Sequence, residues 1–236
     1  MNGLIALLGS GEYLSVMDDV DRYLLENCGA AGRKPRVVCL PTAAGREGDA
    51  SVTRWSRMGV EHFTRLNADV QAVPVIDAES ANDLNHASAV EEADLIYFSG
   101  GDPGYLYQTM DGSRAWKAAQ RAWGRGAVYA GCSAGAMILA KRMPRFRLAQ
   151  TQAGFGIVPA ESIVPHFDAI PAMFKPIVLA LMGKLKDGER MIGVDEDTAL
   201  VGALGGEWKV MGQSKVHVFT SKGEQIYESG QTLRLD

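Results

Sequence analysis

The sequence predicts an α/β protein whose mainly parallel sheet is covered by helices on both faces. Three observations predict it. Over residues 3–141, short and almost continuous apolar runs alternate with stretches of helical periodicity. The connections between them are short, as βα units require. The glycine turns at 9–11, 100–101 and 131–135, and the loop carrying Arg46, each follow an apolar run. They therefore gather at the carboxyl edge of the sheet, where open α/β sheets hold their ligands.

Residues 3–8 read as a buried strand ending in Gly9-Ser10-Gly11-Glu12, after which Leu14, Met17, Val20, Tyr23 and Leu24 recur at helical spacing. A Gly-x-Gly at this place invites a dinucleotide site, but the third glycine position holds Leu14. A second strand spans 36–40, followed by the loop 41–48 and a helix near 52–66. A third strand covers 70–76, with a helix around 81–91. A fourth, 95–98, ends in Ser99-Gly100-Gly101-Asp102-Pro103-Gly104, and helical periodicity returns at about 114–123. A fifth strand from Val128 runs into Gly131-Cys132-Ser133-Ala134-Gly135, with a helix-capable stretch at 136–141. Beyond residue 150 the pattern loosens into an apolar run at 163–167, a helix at about 171–185 and a strand at 191–196. The alternating segments 209–220 and 225–228 fold about 221–224 into an antiparallel hairpin. No repeat or linker interrupts the chain, so a single α/β domain over residues 1–236 is expected.

An apolar fraction of 47% indicates a folded chain with a sizeable core, and a net charge of −4 gives no reason to expect nucleic acid as a partner. Cys28, Cys39 and Cys132 lack C-x-x-C spacing, so neither a disulfide framework nor a zinc site is suggested. The apolar run at 4–8 is too short for a signal peptide, and no stretch approaches the roughly 20 apolar residues that cross a bilayer. A cytoplasmic protein without membrane contacts, metal or other cofactor is expected.

The chemistry centres on Gly131-x-Ser133-x-Gly135. A serine thrown into a tight turn between a strand and a helix projects its hydroxyl at the sheet's edge. The helix that follows aims unpaired N–H groups at a developing oxyanion. A serine hydroxyl is a poor nucleophile at neutral pH and needs a base, itself oriented by a third group. Of four histidines, His62 and His86 lie in helical patterns and read as surface or boundary residues. His166 ends an apolar run, and His217 lies inside an alternating strand. Strand ends line active sites more often than strand interiors, so His166 is the favoured base. The acid is less sharply marked: Asp195-Glu196-Asp197 follows an apolar run and could equally be a solvated turn. The backbone N–H of Ala134 is the expected first oxyanion donor, with a second from the Gly100-Gly101 turn.

Four segments occur in one order: Phe98-Ser99-Gly100-Gly101-Asp102, Gly131-Cys132-Ser133-Ala134-Gly135-Ala136, Pro165-His166-Phe167 and Ile192-Gly193-Val194-Asp195-Glu196-Asp197-Thr198-Ala199. In these the chain resembles the serine peptidase family that includes aspartyl dipeptidase (dipeptidase E) and cyanophycinase, over about residues 1–205. The resemblance implies a flavodoxin-like three-layer sandwich of the class I glutamine amidotransferase-like kind, to which the C-terminal hairpin is added. It implies Ser133 as nucleophile, His166 as base and Gly101 as an oxyanion donor. Glu196 matches the acid of the cyanophycinase-like branch. The dipeptidase branch takes its acid shortly after the elbow, where this chain reads Arg145-Phe146-Arg147-Leu148 without a carboxylate. Cyanophycinases typically carry Asp-Gln-His-Phe where Val164-Pro165-His166-Phe167 stands here, which leaves the substrate open. A small peptide or isopeptide cleaved next to aspartate is expected, with Asp102 and Arg46 as its binding residues, and a homodimer is left open.

Chain order separates the alternatives. The peptidase reading runs Ser133, His166, Glu196, whereas an α/β-hydrolase esterase runs serine, acid, histidine and would need His217. A glutamine amidotransferase proper uses a cysteine at the elbow. Cys132 stands one position early, where its side chain points away from the site. A binding protein that kept the fold, with a merely solvated acidic run, is the non-enzymatic alternative.

Overall fold

A computed structural model describes residues 2–145, 150–174, 176, 178, 180 and 183–235. The elements in order are β1 (Ile5–Leu8), α1 (Asp18–Glu26), β2 (Arg36–Leu40), α2 (Asp49–Arg65), β3 (Asp69–Ala72), α3 (Leu84–Glu91), β4 (Leu95–Phe98), α4 (Pro103–Met110), α5 (Arg114–Gly124) and β5 (Val128–Cys132). There follow α6 (Ala134–Met137), β6 (Arg142–Arg145), β7 (Gln150–Ala153), β8 (Ser162–Val164), β9 (Arg190–Val194), β10 (Thr198–Gly202), β11 (Glu207–Gly212), β12 (Lys215–Thr220), β13 (Gly223–Glu228) and β14 (Thr232–Arg234).

The central sheet has eight strands in the order β14-β11-β10-β1-β5-β4-β2-β3. The five from β1 to β3 are parallel, and β10, β11 and β14 extend them antiparallel. Side chains alternate across this sheet and divide the core in two. Ile5, Leu7, Val38, Leu40, Ile96 and Phe98 face a layer that includes Val90, Leu106 and Trp116 of α3, α4 and α5. Ala6, Leu8, Val37, Cys39, Leu95 and Tyr97 face Val20, Leu24 and Phe63 of α1 and α2. In β1, β2, β4 and β5 both faces are almost wholly buried, so these strands read as continuous apolar runs rather than alternating ones. This is the predicted flavodoxin-like sandwich.

Several elements differ from expectation. The turn after β4 stops at Asp102, whose carboxylate accepts the Tyr105 N–H at 3.0 Å while Pro103 opens α4, a helix the glycine-rich composition concealed. The helix after the elbow is a single turn, shorter than the stretch 136–141. The carbonyls of Ile138, Leu139, Ala140 and Lys141 accept N–H groups from Phe155, Val158, Gly156 and Gly154, and so leave the helical ladder. The third strand ends at Ala72, short of residue 76. The helix at 171–185 falls partly outside the described residues; within them, Ala172–Phe174 is a turn of 3-10 helix.

The alternating stretch 209–220 is two strands, not one. At Gly212 the chain takes φ +101°, and a Cβ there would lie 2.3 Å from the Asp197 carbonyl oxygen. Beyond that kink β12 leaves the central sheet. The predicted hairpin is present, with Thr220 opposite Gly223, but it belongs to a second sheet of order β13-β12-β9-β8. That sheet, rather than the hairpin alone, carries the far side of the site.

Candidate active site

Ser133 follows β5 at φ 48°, ψ −103°, a conformation that costs a non-glycine residue about 1–3 kcal/mol. Its N–H donates to Leu8 O at 2.9 Å, and its carbonyl accepts Ala136 and Met137 N–H, so bonds on both sides hold the strained residue. The flanking glycines are there for space. A Cβ on Gly131 would meet the Gly135 carbonyl oxygen at 2.3 Å, and one on Gly135 the Phe98 carbonyl oxygen at 2.8 Å. The turn can form only if both positions are bare.

His166 stands two residues beyond β8, also at positive φ (50°). The Phe167 N–H donates to Val194 O, and the Phe167 ring lies over Gly193 of β9, where a Cβ would clash at 2.6 Å. This anchoring turns the imidazole toward the elbow: Nε2 lies 3.1 Å from Ser133 Oγ. Nδ1 lies 2.8 Å from Glu196 Oε1. Glu196 sits between β9 and β10, and its own N–H donates to Asp168 Oδ1 at 2.8 Å. The acidic run is therefore split by burial. Glu196 reaches the histidine, while Asp195 is 3% exposed and accepts from Ser214 Oγ and the Lys215 N–H.

The turn Gly9-Ser10-Gly11 closes on this acidic loop, which is the reason for its glycines. A Cβ on Gly9 would sit 1.9 Å from the Asp195 carbonyl oxygen, and one on Gly11 2.5 Å from Asp197 Oδ1. Ser10 Oγ accepts the Asp197 N–H at 3.1 Å. The first Gly-x-Gly thus serves a close approach within the protein.

Gly101 adopts φ +140° and has no room for a Cβ, which would come within 2.5 Å of Ala43 O. Among the described residues, neither the Gly101 nor the Ala134 N–H has a hydrogen-bond acceptor. The Gly100 N–H is taken, at 2.9 Å, by Glu12 Oε1. Glu12 Oε2 accepts in turn from Cys132 Sγ at 3.1 Å. Burial, with the Glu12 charge beside it, pushes the Cys132 thiol well above its ordinary range, so it stays protonated and turned into the core. As expected of its position, it points away from the serine.

Arg46 is exposed in the loop after β2, its guanidinium 4.5 Å from the centre of the Tyr105 ring. Asp102 caps α4 with one oxygen, which gives the residue a structural role that the motif did not announce. His217 does not meet the serine. It is held between Asp195, at 3.3 Å, and Glu224, at 2.7 Å, with its ring against Phe167. His62, read as a surface or boundary residue, is buried: its Nε2 lies 2.8 Å from the fully buried Asp21. Glu12 and Asp168 carry no signal in the sequence, since each acts by position rather than by motif, and the Pro165-His166-Phe167 segment does not show that Phe167 packs on Gly193. Among the described residues, no cluster of three His, Cys, Asp or Glu side chains could hold a metal ion, and no helix is long and apolar enough to cross a membrane.

A serine on a strained strand-to-helix turn, at the carboxyl edge of a flavodoxin-like sheet, defines a class of serine hydrolases. The chain belongs to peptidase family S51, whose model matches residues 5–205, and it is a serine peptidase. It is similar to a peptidase from an acI-B1 Actinobacterium, with 38% identity and a TM-score of 0.88 over 99% of this chain and 97% of that one. It shares its fold with a candidate peptidase E from Listeria monocytogenes EGD-e, with 18% identity and a TM-score of 0.59 over 97% and 99% of the two chains. No curated protein sequence matches it.

Proposed function

We propose that the protein hydrolyses small peptides or isopeptides through a Ser133–His166–Glu196 triad. The observation that carries this reading is the hydrogen-bonded line from Ser133 Oγ through both imidazole nitrogens to Glu196. His166 Nε2 takes the hydroxyl proton as Ser133 Oγ attacks the scissile carbonyl carbon. The oxyanion that forms is received by the N–H groups of Gly101 and Ala134. His166 then gives its proton to the leaving amine, and the acyl group stays on Ser133. A water molecule, deprotonated by the same nitrogen, releases the acid and restores the serine. Glu196 accepts from Nδ1–H, which fixes the tautomer and stabilises the imidazolium during each transfer. No step calls for a cofactor.

For the substrate, the reading extends to a bond next to aspartate. Its support is the family together with Arg46, an exposed guanidinium in a loop at the carboxyl edge of the sheet that holds the elbow. Arg46 would pair with a substrate carboxylate in a bidentate fork, and the second oxygen of Asp102 would meet a donor of the substrate. A cytoplasmic protein acting as one domain completes the reading. The esterase alternative through His217 is disfavoured by the two carboxylates that already hold that ring.

A fluorophosphonate probe followed by mass mapping tests the nucleophile: label on Ser133 is expected, and its repeated absence overturns the assignment. Turnover of Asp-X and β-aspartyl dipeptides tests the substrate class. Equal rates on dipeptides lacking aspartate would remove the acidic preference.

A further inference from the structure

Glu12 is a half-buried carboxylate beside the elbow with no part in the triad. Each of its oxygens holds one wall of the place where an oxyanion would sit. Oε1 takes the Gly100 N–H from the turn after β4, and Oε2 takes the Cys132 thiol from the residue before the serine. Gly100 itself is wedged between the two parts: a Cβ there would lie 2.7 Å from Glu12 Oε1 and 3.4 Å from the Ser133 Cβ.

On the turn after β4, three successive N–H groups have different fates. Gly100 donates to Glu12 and Asp102 donates to Ala43 O at 2.9 Å, so the free Gly101 N–H is bracketed by two fixed neighbours. On the elbow, Cys132 is two residues from the other free N–H, that of Ala134. Glu12 is in turn held by its own neighbours, Gly11 against Asp197 and Tyr13 buried in the core. We propose that Glu12 is a positioning residue for catalysis, whose carboxylate bridges the β4 turn and the elbow and thereby sets the separation of the Gly101 and Ala134 N–H groups. This rests on the assignment of Ser133 as nucleophile and of those two groups as oxyanion donors.

A bridge and a charge make opposite demands on the side chain. Glu12→Gln keeps the reach and loses the charge: its amide oxygen accepts the Gly100 N–H, and its amide nitrogen faces the sulfur, which accepts. Glu12→Asp keeps the charge and, shorter by one methylene, cannot span both walls. The rate at which a fluorophosphonate labels Ser133 reads the oxyanion donors directly, because charge gathers on the phosphoryl oxygen as the serine attacks. Glu12→Asp is expected to label at least about tenfold more slowly than wild type, and Glu12→Gln within about threefold of it, with thermal unfolding confirming that both are folded. Both variants at the wild-type rate, Glu12→Gln as slow as Glu12→Asp, or Glu12→Asp the faster of the two would overturn the bridge. A wild-type protein that takes no label at Ser133 would overturn the nucleophile assignment and this inference with it, which separates the two failures.

Discussion

His166 Nε2 stands 3.1 Å from Ser133 Oγ, and the two residues end strands of different sheets, β8 in the four-stranded sheet and β5 in the eight-stranded one. The line of hydrogen bonds therefore spans a junction that the fold must hold closed. On the acid side the segment Asp195–Asp197, which leads from β9 of one sheet into β10 of the other, does this, and its Asp197 N–H donates to Ser10 Oγ beyond β1 at 3.1 Å. Both Ser133 and His166 sit at positive φ, so tertiary contacts fix the two residues against local preference.

Ser133→Ala should abolish turnover and leave the fold intact. Alanine bears the same backbone strain as serine at φ 48°, and only the hydroxyl is lost. Removing a triad nucleophile costs on the order of 10⁶ in kcat. Steady-state kinetics with circular dichroism on the same sample checks both halves of the expectation. Turnover like that of wild type would end the nucleophile assignment.

Arg46→Ala should raise KM for substrates with a free carboxylate far more than for neutral ones. Its stacking on Tyr105 contributes no more than about 1 kcal/mol at an exposed site, so stability should hardly change. The comparison of KM across the two substrate classes decides the matter. An equal rise in both would return Arg46 to the role of a solvated loop residue.

Asp94 supplies a pH dependence of stability. Burial pushes its carboxyl up, but two hydrogen bonds from Arg33, at 2.6 and 2.8 Å, and one from the Arg36 N–H outweigh that and hold it below the usual range. A folded-state value below the unfolded one means that the stabilisation is present at neutral pH. It is lost as pH falls through about 4 toward the folded value. Asp94→Asn should cost about 1–2 kcal/mol at pH 7, toward the lower end because Arg33 is half exposed, and the gap to wild type should close in acid. Thermal unfolding of both proteins from pH 7 to pH 3 measures it; a gap that stays constant would remove Asp94 as its source.

Much of this molecule is legible in the sequence where local rules govern. The five parallel strands, the elbow and the hairpin turn each carry their signal within a few residues, as Gly131-Cys132-Ser133-Ala134-Gly135 does. What depended on distant contacts was hidden. Gly9 and Gly11 look like a nucleotide turn until the acidic loop is laid against them. The split between β11 and β12 is set by Asp197 O at Gly212, a contact between residues 15 apart. His62 was read as a surface or boundary residue, yet Asp21 draws it into the core. Glu12 shows nothing in sequence beyond one acid after a glycine, because its two partners are 88 and 120 residues away.

The final prediction separates the two histidines. A base that takes the serine proton must lie about 3 Å from it, and its loss should cost several kcal/mol of transition-state stabilisation. His166 meets the distance, so His166→Ala should lose activity by orders of magnitude. His217 is only 14% exposed, sits between Asp195 and Glu224, and supports Phe167, the neighbour of His166. Its removal leaves the buried Asp195 carboxylate with its bonds from Ser214 and Lys215 but without the imidazole, a cost to stability more than to chemistry. His217→Ala should therefore lower Tm while changing kcat by less than about tenfold. Glu196→Gln should fall between the two histidine variants in kcat, because nucleophile and base remain while the tautomer is no longer held. Measured together on one substrate, kcat and Tm give three distinct signatures. A dead His217→Ala beside a near-wild-type His166→Ala would put the base on the hairpin sheet and make the order serine, acid, histidine.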